Sequence, residues 1–136
     1  TGTRPKSGYG TQMGKKQFEV NSAFKRLRIP LKATEHLLRE FPTKRDLIRF
    51  ISETVKKDGH LIAILSSDVL NGTDNKNGHA CVVDRIYPAR NIIRLIDPSP
   101  KQTKWREVKI ETLTRALNQH PADRGRLLEL HKIKGR

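Results

Sequence analysis

The hydrophobic period of this chain changes at Gly59, and that change sets the class of fold open to it. Before it, Leu47, Ile48, Ile51 and Val55 recur at helical spacing. Thr43 stands where a helix N-cap is needed, and Asp46 in the first turn favours the helix dipole. Lys56 and Lys57 suit the C-terminal end, and Gly59 ends the helix. After it, the residues read as strands over 60–66, 78–86 and 91–96. Tyr87-Pro88-Ala89-Arg90 makes a hairpin connection between the last two, and Asp97-Pro98-Ser99-Pro100 stops the third.

The flanks extend the pattern. Phe18, Ala23, Phe24 and Leu27 predict a helix over 18–28, stopped by Pro30, with a second short helical piece at 35–38. Residues 67–77 read as a polar loop. A fourth strand follows at 105–110, then a helix over 111–118 closed by Pro121, and a last strand over 127–133. Helices first and a mainly antiparallel sheet after them predict an α+β fold. Residues 1–17 have turn formers, four cations (Arg4, Lys6, Lys15, Lys16) and no acid, and read as a basic arm. Residues 18–136 then form a single domain, long enough to bury one core.

Several classes are excluded. The longest apolar run is Leu61 to Leu65, far short of the roughly 20 residues a membrane-spanning helix needs. A single cysteine, Cys81, excludes an internal disulfide or a multi-thiolate metal site, and leans towards a reducing, intracellular compartment. The histidines (His36, His60, His79, His120, His131) show no ligand spacing, so no metal is expected. The glycines form no phosphate-binding pattern, and no cofactor is expected.

The informative stretch is Gly78-His79-Ala80, an apolar strand, a short turn, and Leu95-Ile96-Asp97-Pro98. A histidine opens one strand and an aspartate closes its antiparallel neighbour, so the hairpin brings His79 and Asp97 together. An acid beside an imidazole fixes its tautomer and stabilises its protonated form, which is the orienting half of a nucleophilic triad.

Over about residues 44–118 this pattern resembles the C-terminal half of papain-like cysteine peptidases, and is most similar to the bacteriocin-processing peptidase family. The resemblance implies a papain-like core with His79 and Asp97 as catalytic residues. It also implies a cysteine at the start of the first helix, where the helix dipole and the histidine lower the thiol pKa, and a glutamine upstream for the oxyanion hole. Gln12 fits the glutamine, which puts the nucleophile at Phe18. A second register through Gln17 puts it at Asn21, or at Ser22. No register supplies a cysteine. Cys81 follows His79 by two residues on one strand face; such neighbours project in parallel, and packing in the core is the expected role.

Charge points to a partner. Lys plus Arg number 28 and Asp plus Glu 14, a formal charge of +14. Beside the arm, Lys25, Arg26 and Arg28, and Lys101, Lys104 and Arg106, form basic clusters suited to phosphate contacts. The sequence therefore predicts a catalytically degenerate papain-like domain that binds a polyanion, RNA or a ribonucleoprotein, with a peptide in its cleft as a further occupant. The alternative is an active cysteine-type peptidase or isopeptidase that uses His79 and Asp97, with its nucleophile at an atypical position or on sequence outside these 136 residues.

Overall fold

The computed structural model describes residues 16–57, 59–74, 78–98, 105–119 and 126–133. Among these residues the fold is α+β, with four α-helices and a fully antiparallel six-stranded sheet. The strands are β1 (Leu31–Leu37), β2 (His60–Ser66), β3 (Gly78–Tyr87), β4 (Ile92–Ile96), β5 (Trp105–Lys109) and β6 (Arg126–Lys132). Their order across the sheet is β1-β6-β2-β3-β4-β5. The helices are α1 (Lys16–Arg26), α2 (Lys44–Lys56), α3 (Ser67–Asn71) and α4 (Ile110–Asn118). None of the described helices is long and apolar enough to cross a membrane.

The alternation of each strand sorts its residues onto two faces. One face carries Leu61, Ala63, Leu65, Cys81, Val83, Ile93, Leu95 and Leu127. Leu47 and Ile51 of α2, and Ile110, Leu113, Ala116 and Leu117 of α4, close over it as the main core. The reverse face carries a smaller cluster, Ala33, Ile64 and Leu128, covered by Val20 and Phe24 of α1. The α1 helix thus shields only the β1–β6–β2 end of that face.

Local chemistry explains the helix boundaries. The Thr43 hydroxyl accepts the Asp46 backbone N–H at 3.1 Å, the N-cap expected from sequence. At the sheet edge, the Asn21 side chain takes the place of a missing strand. Its oxygen accepts the Ala33 N–H at 2.6 Å, and its amide donates to the Ala33 carbonyl at 2.8 Å. This satisfies backbone groups that an edge strand would otherwise leave open.

Two local expectations are corrected. Residues 35–38, read as helical, lie mostly in β1, followed by a 3-10 turn at Leu38–Glu40. Seven pairs to β6 and the burial of Ala33 outweigh local helix propensity there. Residues 67–77, read as loop, begin with the short helix α3. Ser66 caps it by accepting the Val69 N–H at 3.4 Å, and Gly72, with φ +68°, ends it in the left-handed conformation. Val69 and Leu70 pack against the main core, and the polar composition of the segment hid that anchor.

Candidate functional site

The β3–β4 pairing builds the site. Val82 pairs with Ile96, so the next position on each strand sets Asp97 across from Cys81, on the core face. His79, two residues earlier on β3, sits on the same face opposite Leu65. From this diagonal position the His79 ring reaches the carboxylate, with Nε2 2.7 Å from Asp97 Oδ1. A carboxylate oxygen can only accept, so Nε2 carries the donated proton and Nδ1 holds the lone pair of the neutral ring. Asp97 is buried, whereas the His79 side chain is 23% exposed. The ring is held at its back and open at its front.

Arg106 completes the support. It pairs with Leu95 across β4–β5, and so projects onto the core face. Its Nη1 donates to Asp97 Oδ2 at 3.1 Å and to Asn71 Oδ1 at 2.8 Å, and its Nη2 to the Leu70 carbonyl at 2.9 Å. One guanidinium thereby compensates the buried carboxylate and ties the end of α3 to it. Arg106, expected among the phosphate contacts, is instead committed to Asp97 and α3. Sequence contained one signal of this: in Trp105-Arg106-Glu107-Val108, alternation that turns Val108 towards the core must also turn Arg106 inward.

Cys81 is buried in the core, as expected, with 1% exposure. The expectation that it would stay apart from His79 is corrected. One donor atom from each of His79, Cys81 and Asp97 lies within 4.8 Å of the others. Parallel projection along β3 is respected; Asp97, reaching in from the neighbouring strand, brings the three together. Burial, and then the Asp97 charge, push the Cys81 thiol up to about 12, with Arg106 acting in the opposite sense. At neutral pH it is a protonated thiol and not an attacking thiolate. The three donors are of types that hold zinc. Both Asp97 oxygens are already engaged, Oδ1 by His79 and Oδ2 by Arg106, which favours the hydrogen-bonded arrangement instead.

The candidate nucleophile positions are not brought to the histidine. Asn21 is committed to Ala33 on the reverse face, and Ser22 is exposed on the same helix, which packs chiefly against β1. Phe18 lies in the first turn of α1. Gln12, Arg4, Lys6, Lys15, Lys101 and Lys104, and the arm but for its last two residues, lie outside the described residues. Lys16 opens α1, and Lys25, Arg26 and Arg28 form an exposed cluster at its C-terminal end.

Neither a protein-family model nor a curated protein sequence matches this chain.

Proposed function

We propose that His79, Asp97 and Arg106 form the histidine–aspartate half of a papain-like cysteine-peptidase centre, its attacking thiol being brought to His79 by polypeptide other than residues 1–136. The observation that carries this reading is the 2.7 Å bond from His79 Nε2 to Asp97, which turns Nδ1 away from the carboxylate. Among the described residues Nδ1 has no hydrogen-bond partner. A base whose far nitrogen is fixed and whose near nitrogen is open is the arrangement acyl transfer requires.

The residues divide the work as follows. Nδ1 takes the proton of the attacking thiol as the S–C bond to the substrate carbonyl forms. The ring becomes positive, and Asp97 stabilises that charge through Nε2–H. Nδ1 then gives the proton to the leaving amine as the C–N bond breaks. Arg106 holds Asp97 in place and keeps its charge tolerable in a buried site.

The test is labelling of the full-length polypeptide with a peptide vinyl sulfone. A cysteine outside residues 1–136 is expected to be modified, and His79→Ala to slow that modification by about 10²- to 10⁴-fold. Modification at Cys81, or none, overturns the reading; with none, a degenerate scaffold that has lost its nucleophile takes its place.

A second reading concerns the partner and rests on charge. A formal +14 over 136 residues favours a polyanion, and RNA is the polyanion we propose. It does not depend on His79 and is compatible with the first reading.

A further inference from the structure

The reverse face of the sheet is covered unequally. Leu128, Ile62, Val82, Ile96 and Trp105 are lateral neighbours, one on each of five adjacent strands. Val20 and Phe24 of α1 pack on the Leu128–Ile62 end of this row. Among the described residues no helix covers the Trp105 end, and Trp105 is 44% exposed. A tryptophan left half in water at the end of an apolar row is a costly surface.

The same face is dressed with cations on aromatic rings. The Arg94 guanidinium lies 4.7 Å from the Trp105 ring centroid, and Arg90 lies 5.4 Å from that of Tyr87. Tyr87 pairs with Ile92, and Lys109 is the next partner across, while Arg85 pairs with Arg94. Asp84 and Glu107 are the acids of this surface; Asp84 holds Arg94 at 2.7 Å and Glu107 lies 3.8 Å from Arg90. Four cations against two carboxylates leave the patch positive. The bond to Asp84 holds the Arg94 guanidinium in its charged form against partial desolvation.

We infer that this open β3–β4–β5 face is a stacking platform for a single-stranded polynucleotide, with Trp105 and Tyr87 receiving bases and Arg85, Arg90, Arg94 and Lys109 meeting phosphates. The inference rests on the polyanion reading above and names its surface. Every base has a π-face, so a platform of this kind is tolerant of sequence. A duplex hides its base faces and cannot use Trp105 in this way.

The chain has one tryptophan, so its intrinsic fluorescence reports on this face alone. The experiment titrates the protein with dye-labelled oligouridylate and oligothymidylate of about a dozen nucleotides, reading oligonucleotide anisotropy and tryptophan emission together across a salt series. The expected result is a rise in anisotropy with concurrent quenching of Trp105, on RNA, DNA or both. Trp105→Ala, whose exposed position should leave folding intact, is expected to weaken binding by about 5- to 150-fold. Lys109→Glu keeps the reporter and is expected to weaken binding and flatten the salt dependence. Binding without quenching, and indifferent to both variants, overturns this face while the polyanion reading stands. No binding at low salt overturns both. Self-association that buries Trp105 without any oligonucleotide assigns the face to a second copy of the chain and overturns the inference.

Discussion

Two histidines of this sheet are each held by a carboxylate, and they are built for opposite ends. His36 lies on β1 near one edge. Its Nε2 is 2.8 Å from Glu129 of β6, its Nδ1 is 3.2 Å from Glu40, and its ring packs 4.5 Å from that of Phe50. Both nitrogens are occupied, and the ring joins β1, β6, the turn after β1 and α2. His79 has one nitrogen engaged, by an aspartate that is itself buried and fixed by Arg106. A saturated imidazole is a clasp, because neither nitrogen can take or give a proton without breaking a bond. A half-saturated one, backed by an immobile acid, can work as a base. Proximity of an acid to a histidine therefore does not identify a site; the unoccupied nitrogen does.

The sharpest way to break this comparison is to remove each acid in turn. Asp97→Ala leaves the Arg106 guanidinium, 16% exposed, facing an empty pocket. Loss of one partner of a buried pair costs about 3–5 kcal/mol, so urea unfolding should show a destabilisation of that size. Asp97→Asn retains a hydrogen-bond acceptor for His79 and should recover part of it. A loss below about 1 kcal/mol for Asp97→Ala would mean that the dyad is solvated and not buried as described. His36→Ala should cost less, about 1.5–3 kcal/mol for bonds to charged partners, and should leave the reactivity of a cysteine-directed probe unchanged. A strong effect of His36→Ala on that reactivity, at matched stability, would erase the distinction between clasp and base.

How far the sequence could anticipate this depended on the range of the interactions. The β3–β4 hairpin is local, so alternation and the Asp97-Pro98 stop were enough to bring His79 beside Asp97. The Thr43 cap was legible for the same reason. What escaped was non-local. His36 meets Glu129 across 93 residues of chain, and no spacing rule connects them. Residues 35–38 read as helix because the strand they pair with lies at the far end of the sequence. Asn21 looked like a position on a catalytic helix, and its role as a substitute strand partner for Ala33 appears only when α1 is seen on the reverse face. Arg106 was counted among surface cations because clustered charge hides the one member that alternation turns inward.

Cys81 tests the burial of the site independently of its hydrogen bonds. Its thiol pKa rises from 9.0 to about 12 in the fold, so the protonated thiol stabilises the native state fully below pH 9. Above that, the unfolded chain loses its proton first, and stability should fall with pH by about 1.4 kcal/mol per unit until the folded pKa is reached. Other groups titrate in this window, so the quantity to measure is the difference between the native chain and Cys81→Ala. That difference should shrink steadily from pH 9 to 12. A difference independent of pH would place the thiol in contact with water, and the floor of the His79 site with it.

Glu111 gives the smallest effect and the most direct control, because it copies the bonding of Asp97 without its burial. Its carboxylate oxygens accept from Lys44 at 2.6 Å and from Asn91 at 2.8 Å, and the side chain is 57% exposed. Lys44 first, and then Asn91, hold its pKa down at about 2. The folded pKa lies below the unfolded one of 4.5, so its contribution to stability is present above pH 4.5 and is lost as pH falls towards 2. Lys44→Met should move the titration midpoint of Glu111 part of the way back up towards 4.5, as read from its carboxyl carbon by NMR, and lower stability at neutral pH only by the small amount such a shift is worth at an exposed, screened site, well short of Asp97→Ala. If Lys44→Met destabilised the fold as much as Asp97→Ala, then two partners on a carboxylate would suffice and burial would be irrelevant. The expected contrast says the reverse: the same pair of bonds becomes structurally decisive when, as around Asp97, water cannot replace either of them.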